Sequence, residues 1–340
     1  MGNKKMIHDI KKIVRKYLIE FRVMKGFYYD YRKYSQSSLR THKSNLDFDE
    51  SLGLIIRLYH SLEKSLTNRN FKKESSIKNV SLLIDIFMKD NKIDYNDVHV
   101  QSALNTISLY FDKHAEKGSP ELEDLREKYR SIIFKAGCIS PILGGIKPIP
   151  AIPDANKFRH EDYKEFVCSR VSIRDFSEKM PAEVELESVI DVARFCPSAC
   201  NRQAIKIFYS LNKNNNGEIL KLQNGSRSFR NNVPGLIILT ADLRYQEGVE
   251  ERNLGLIEGG IWISSLTSSF HAHNMGSCVL NWCVNPVQDK MLRSLINIPN
   301  HYQIVSLLAF GYIKEEQLVP FSTRKNAISF LEKIKFRMSN

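Results

Sequence analysis

The feature that most constrains this chain is a run of breakers between residues 137 and 154, where Gly137, Pro141, Gly144, Gly145, Pro148, Pro150 and Pro153 interrupt every regular pattern. Before it, apolar residues recur at helical spacing and no strand pattern of comparable strength appears. After it, short β-rich runs alternate with helical ones. The chain is therefore read as a helical N-terminal region over 1–136, a linker over 137–160 and an α+β unit over 161–340. Its 340 residues suffice for two cores.

Residues 6–21 set Ile7, Ile10, Val14, Tyr17, Leu18 and Phe21 along one helical face, opposite Lys11, Lys12, Arg15 and Lys16. The net charge of +12 is concentrated here, with 12 Lys/Arg against 3 Asp/Glu in residues 1–45. Such a helix suits a peripheral contact with an anionic membrane better than a nucleic-acid groove, and no nucleic-acid partner is expected. Burial of the same stripe against the helical region would satisfy it equally. A second helix begins at Asp47, whose Asp-x-x-Glu spacing forms a capping-box variant, and continues through Leu52, Ile55, Tyr59, Leu62 and Leu66. Three more patterns follow, through Val80, Ile84 and Phe87, then Val100, Leu104, Ile107 and Phe111, then Leu122, Leu125, Tyr129 and Ile132.

Beyond the linker, Ile205–Leu211, Leu236–Thr240, Ser277–Trp282 and Ile304–Phe310 read as strands, with helices near 183–195, 256–273, 286–296 and 326–337. Residues 259–288 carry no Asp, Glu, Lys or Arg. Serines, His271, His273 and Asn274 interrupt that stretch, and Gly276 divides a helical part from a β-like part. A helix buried in a core or a subunit interface is expected there, not a membrane span. Six cysteines without a close pair, and no secretory signal, indicate reduced thiols and a cytoplasmic protein. No metal site is expected, because close-paired ligand spacing is absent.

Two short segments carry chemistry. In Ser169-Arg170-Val171-Ser172-Ile173-Arg174-Asp175-Phe176, the residues Arg170, Ser172 and Arg174 fall at every second position, so an extended chain turns all three to one side. Two guanidinium groups and a hydroxyl converging there suit a phosphate. The second segment, Pro197-Ser198-Ala199-Cys200-Asn201-Arg202-Gln203, joins a helix to a strand and presents amides that both donate and accept.

Together, this Arg-x-Ser-x-Arg-x-Phe run and the following Pro-Ser-x-x-Asn-x-Gln resemble the nitroreductase family. The resemblance continues in Glu258-Gly259-Gly260, Asn274-Met275-Gly276-Ser277-Cys278, Leu280-Asn281-Trp282, Gly311-Tyr312 and Ser322-Thr323-Arg324. It implies a central mixed β-sheet flanked by helices, FMN bound at a homodimer interface, and NAD(P)H as co-substrate. Carried over by position, Arg170, Ser172 and Arg174 with Ser322 and Arg324 would hold the phosphate and ribityl chain. Pro197, Ser198, Asn201 and Gln203 would line the flavin ring from the partner subunit. Gly276 would let backbone approach the flavin, with Asn281 and Trp282 on the ring side.

The implied activity is reduction of a nitro, quinone or other unsaturated small-molecule acceptor by a ping-pong mechanism. Alternatives are a non-catalytic FMN-binding scaffold, or a flavin-consuming or azoline-oxidising relative. No protein residue is expected to be catalytic in its own right, because the flavin N5 carries the hydride. His60-Ser61-Leu62-Glu63-Lys64-Ser65-Leu66 resembles a His-x-x-Glu-Lys-Gly-Leu signature of N-terminal extensions in nitroreductase-like proteins of polysaccharide biosynthesis clusters, with Ser65 in place of the glycine.

Overall fold

A computed structural model describes residues 2–38, 46–68, 71–72, 74–89, 92–114, 118–137, 139–140, 143–147 and 159–336. Of the expected linker, Cys138, Pro141, Pro148, Pro150 and Pro153 lie outside the described residues, as do the side chains of Ile7 and Ile10.

The N-terminal region is helical as its periodicity requires. It comprises α1 (Gly2–Ser37), α2 (Phe48–Leu66), α3 (Ile77–Lys89), α4 (Val98–Asp112) and α5 (Pro120–Ala136). The starts are written locally. Asp47 Oδ1 accepts from Glu50 N at 2.8 Å while Glu50 Oε2 accepts from Asp47 N at 3.1 Å, which closes the capping box. Asp97 caps α4 and Ser119 caps α5, where Pro120 follows at a position that needs no N–H donor. The predicted faces of α2 to α5 meet in one core containing Ile55, Leu62, Ile84, Phe87, Leu104, Ile107 and Ile132. Each such side chain contributes roughly 1.5–3 kcal/mol on burial.

Helix α1 departs from that pattern. Every side chain from Lys11 to Lys25 is exposed, including Val14 at 50 %, Tyr17 at 65 % and Phe21 at 62 %. Among the described residues its last turns reach the rest of the chain, where Tyr29 and Lys33 reach Asp289 and the Tyr34 hydroxyl donates to the carbonyl of Gly248.

The C-terminal unit adds α6 (His160–Ser169), α7 (Glu183–Ala193), β1 (Ile205–Ser210), α8 (Lys213–Leu220), β2 (Gly235–Asp242), α9 (Leu254–Ala272), β3 (Met275–Asn281), α10 (Pro286–Ile296) and β4 (Tyr302–Tyr312). The four strands order β1-β2-β4-β3 and pair antiparallel, and an isolated parallel bridge joins Ser172 to Ser277 on the edge strand β3. Strand β2 is buried on both faces. Leu236 and Ile238 pack toward α8 and α10 with Ile219 and Leu292, while Ile237 and Leu239 pack toward α7 and α9 with Val189, Leu266 and Phe270.

Two expectations need correction. The turn that divides the uncharged stretch falls at Asn274, at φ 55°, and not at Gly276, which lies inside β3. The helix read over 326–337 is instead an exposed tail with a short 3-10 turn at Ala327–Phe330, and Met338 and its neighbours lie outside the described residues. Among the described residues its apolar side chains stay largely exposed, with Phe330 73 % and Ile334 80 % exposed, and an isolated segment this short does not hold a helix in water.

The two regions meet along α2, which packs against a 3-10 turn at Ala199–Asn201 and another at Leu243–Tyr245. Arg244 joins Asp49 at 2.7 Å, and Arg57 joins Glu247 at 3.1 Å. Gly53 faces the Tyr245 ring, where an added Cβ would lie 3.1 Å from Cδ1.

Candidate cofactor site

The Arg170–Arg174 segment leaves α6 in extended conformation and lies along β3. Ile173 N donates to Ser277 O at 3.0 Å, and Ser177 N donates to Tyr312 O at 2.9 Å. Ile173 and Phe176 are 2 % and 0 % exposed, whereas Arg170 and Ser172 are half-buried and Arg174 is exposed. Ile173 turns inward between Ser172 and Arg174, as extended chain requires, but Val171 is exposed and the next buried side chain, Phe176, comes three residues on, so the alternation holds only around Ile173. The cations stay close to β3. Burial lowers the His271 imidazole below its ordinary range and the Arg170 charge adds to it, while Arg174 opposes the upward push of burial on the Cys278 thiol. Arg170, His271, Ser169 and Ser277 border a small recess.

Gly276 has a local reason in this structure. A Cβ there would stand 2.6 Å from Cγ1 of Ile173, so glycine lets the arginine-bearing segment seat on the strand. The two histidines are satisfied polar groups, His271 Nε2 with Ser169 Oγ at 2.8 Å and His273 Nε2 with Ser188 Oγ at 2.9 Å.

The loop from Pro197 to Gln203 carries three non-glycine residues in the left-handed region: Cys200, Asn201 and Gln203, at φ 53°, 56° and 52°. That conformation costs about 1–2 kcal/mol per ordinary residue, so the surroundings must impose it. Glu258 Oε1, on α9, accepts the Ala199 N–H at 2.5 Å. Arg202, 3 % exposed, donates to both Glu251 oxygens at 2.7 and 2.8 Å and to Tyr245 O at 2.6 Å. Asn201 and Gln203 are exposed.

Asn281 and Trp282 stand at the opposite end of β3 from Ser172, four residues beyond Ser277, or about 13–14 Å along a strand. Trp282 Nε1 donates to Asp289 Oδ1 at 3.0 Å. Burial alone would raise the Asp289 carboxyl. Lys33, Arg293 and the Tyr29 hydroxyl outweigh it and hold the group well below the usual carboxylate range.

Ser322 and Arg324 are not brought to this segment. They lie in the exposed tail, where Arg324 Nη1 donates to Ser322 O at 2.9 Å. Among the described residues no hydrogen bond or ion pair joins the tail to Arg170, Ser172 or Arg174.

In the His60–Leu66 motif, Leu62 and Leu66 are core residues and His60 Nδ1 pairs with Glu63 Oε2 at 3.0 Å. Glu258 and Arg202 hold the Pro197–Gln203 loop and Asp289 holds Trp282, and sequence reasoning assigned none of them such a role. Glu258 and Arg202 had a signal, their places in the Glu258-Gly259-Gly260 and Pro197–Gln203 motifs. A separate groove of about 560 Å³, bordered by Phe208, Ile219, Ile238 and Leu295, contains none of the expected site residues.

The pattern described as "Nitroreductase family" matches residues 167–221, which hold both the arginine segment and the Pro197–Gln203 loop. No curated protein matches the chain. Similar solved structures include an FMN-dependent nitroreductase from Clostridium difficile, with 18 % identity over 50 % of this chain and 98 % of that one, at a TM-score of 0.43. Another is a nitroreductase family protein from Streptococcus pneumoniae, with 19 % identity over 50 % and 99 % and a TM-score of 0.44. A third is a nitroreductase family protein from Clostridium novyi, with 20 % identity over 45 % and 86 % and a TM-score of 0.40. The similarity to a named family thus rests on the segment that carries the two motifs.

Proposed function

We propose that the C-terminal unit is an FMN-dependent NAD(P)H oxidoreductase. The observation that carries this reading is the seating of Arg170, Ser172 and Arg174 on β3, polar side outward, inside the segment that matches the nitroreductase pattern. The donor set fits the cofactor: guanidinium groups and a hydroxyl for a phosphate at one end of β3, and Asn281 with the indole of Trp282 at the other end for a ring. The chemistry FMN would supply when bound is hydride transfer from NAD(P)H to a nitro, quinone or other unsaturated acceptor, in two half-reactions.

The chain's own residues would bind and orient. Gly276 acts by seating Ile173, and Asp289 holds the Trp282 edge. Pro197, Ser198, Asn201 and Gln203 would face the ring bound by a partner subunit, so the working unit is a homodimer. Exposed apolar side chains on α9, such as Ile257 at 59 %, and on the tail support that assembly. Ser322 and Arg324 would complete the phosphate site once the tail finds a surface. A link to polysaccharide biosynthesis rests on the resemblance of the His60–Leu66 motif alone.

Purified protein with added FMN should show bound-flavin absorbance, and NADH or NADPH should bleach it anaerobically. The double change Arg170→Ala, Arg324→Ala should give colourless protein, because each charge-assisted hydrogen bond to phosphate is worth about 1.5–3 kcal/mol. Stoichiometric FMN in that variant would overturn the assignment, and bound flavin that neither nicotinamide bleaches would favour a non-catalytic scaffold.

A further inference from the structure

The exposed part of α1 follows a stricter rule than an amphipathic face. Val14, Tyr17, Phe21, Met24, Tyr28 and Tyr31 recur at alternating steps of three and four, and each is half exposed or more. Ile7 and Ile10 continue that register by sequence. Four successive heptads thus carry an apolar residue at both seam positions, a (Ile7, Val14, Phe21, Tyr28) and d (Ile10, Tyr17, Met24, Tyr31). At about 1.5 Å per residue the seam is roughly 36 Å long. A straight helix drifts about 20° per heptad against a seven-residue repeat, so a strict repeat stays in register only along a second helix that coils with it. The body of the chain lies on the other side of α1: Tyr29 and Lys33, which reach Asp289, occupy b and f positions.

We propose that α1 pairs with α1 of a second copy of this chain as a parallel two-stranded coiled coil, with residues 7–31 as its seam. The flanking positions select both the partner and the direction. In a parallel pair each g residue faces the e residue five places on in the other helix. That sets Glu20 against Lys25 of the second copy, Ile13 against Leu18 and Phe27 against Arg32: an ion pair, an apolar pair and a cation on a ring, each made twice by symmetry. In an antiparallel pair e faces e, which brings Lys11, Lys25 and Arg32 of the two copies together and leaves Glu20 without a cation across the seam. Within its own helix Glu20 has only a loose contact with Lys16 at 3.9 Å. The positions that stay wet in the pair, b, c and f, hold Lys12, Arg15, Lys16 and Arg22. The two-fold axis runs along the coil, so the contact closes as a dimer. It needs no flavin and therefore goes beyond the dimer read for the Pro197–Gln203 loop.

The test reads the helix pair itself in full-length protein, in lipid-free buffer because anionic lipid competes for the same stripe. Helix axes about 8–10 Å apart, with Cα atoms at a radius of about 2.3 Å, bring matching a positions within disulfide reach. Val14→Cys should therefore cross-link to itself under diamide at least about tenfold more than Arg15→Cys, which points outward at b. Wild-type protein treated alike reports on the native thiols, of which Cys168 and Cys283 are exposed. In the Val14→Cys background Glu20→Lys should cut the yield about threefold, and adding Lys25→Glu should restore it, because the swapped charges meet again across the seam. Equal cross-linking at positions 14 and 15 overturns the pairing. So does a Val14→Cys chain that does not cross-link but is carried by α1 onto phosphatidylserine vesicles, since its partner is then lipid. A yield that Glu20→Lys leaves unchanged, or that Lys25→Glu does not restore, overturns the parallel register. Cross-linking in protein that takes up no FMN leaves the pairing standing while the flavin reading falls.

Discussion

The Tyr29 hydroxyl donates a 2.6 Å hydrogen bond to Oδ2 of Asp289, across 260 residues of sequence. Asp289 also accepts from Arg293 Nε at 2.7 Å, pairs with Lys33 at 3.2 Å and holds the Trp282 indole. One buried carboxylate thus ties the first helix to the chain just beyond the C-terminal end of β3. Asp289→Ala should lower stability by about 3–5 kcal/mol in a denaturant melt, since it strands two buried cations. The pH dependence has a definite sign. The folded carboxyl titrates below its unfolded value, so its contribution is fully present above about pH 4 and is lost as pH falls further toward the folded pKa. The stability gap between wild type and Asp289→Asn should therefore narrow in that acid range. A gap that stays constant from pH 6 to pH 3 would contradict this account.

Gly276 and Ile173 should couple. Gly276→Ala places a methyl group 2.6 Å from Ile173 Cγ1 and should cost about 1–3 kcal/mol, with weaker FMN retention as the arginine segment shifts. In an Ile173→Ala background the same change should cost less, by at least about 1 kcal/mol. A thermodynamic cycle that comes out additive would mean that Ile173 is not what the glycine accommodates.

The exposed apolar residues of α9 and of the tail make a dimer prediction. Sedimentation at micromolar concentration should give a homodimer when FMN is bound, and removing residues 315–340 should lower both dimer content and FMN retention. A monomer that keeps its flavin would refute the shared site.

Helix α1 is exposed from Lys11 to Lys25, so deleting residues 1–25 spares Tyr29 and should leave thermal stability within about 0.5 kcal/mol. The apolar stripe with its flanking cations should bind anionic liposomes at low salt, and the deletion should abolish that binding. If the full-length chain ignores such liposomes, peripheral membrane contact is wrong. If the deletion instead melts the helical region, the helix is a structural part of it.

Much of this molecule follows from local pattern. The Asp47 capping box, the core faces of α2 to α5 and the outward turn of Arg170, Ser172 and Arg174 depend only on a period of 3.6 or 2 and on residue chemistry. The sequence by itself therefore determines the helical and α+β regimes and the side of each element that goes inward. It does not determine which distant partners meet. Nothing in the spacing of the 38 acidic and 50 basic residues says that Asp289 receives Tyr29, Lys33 and Arg293, or that Arg244 meets Asp49 of α2. Those pairings depend on how α1 and α2 dock on the sheet unit, which is a property of packed surfaces and not of periodicity. The tail makes the same point in reverse: residues 326–337 carry a helical apolar pattern, but a pattern becomes a helix only where a surface covers it, and among the described residues the tail's apolar side chains stay exposed.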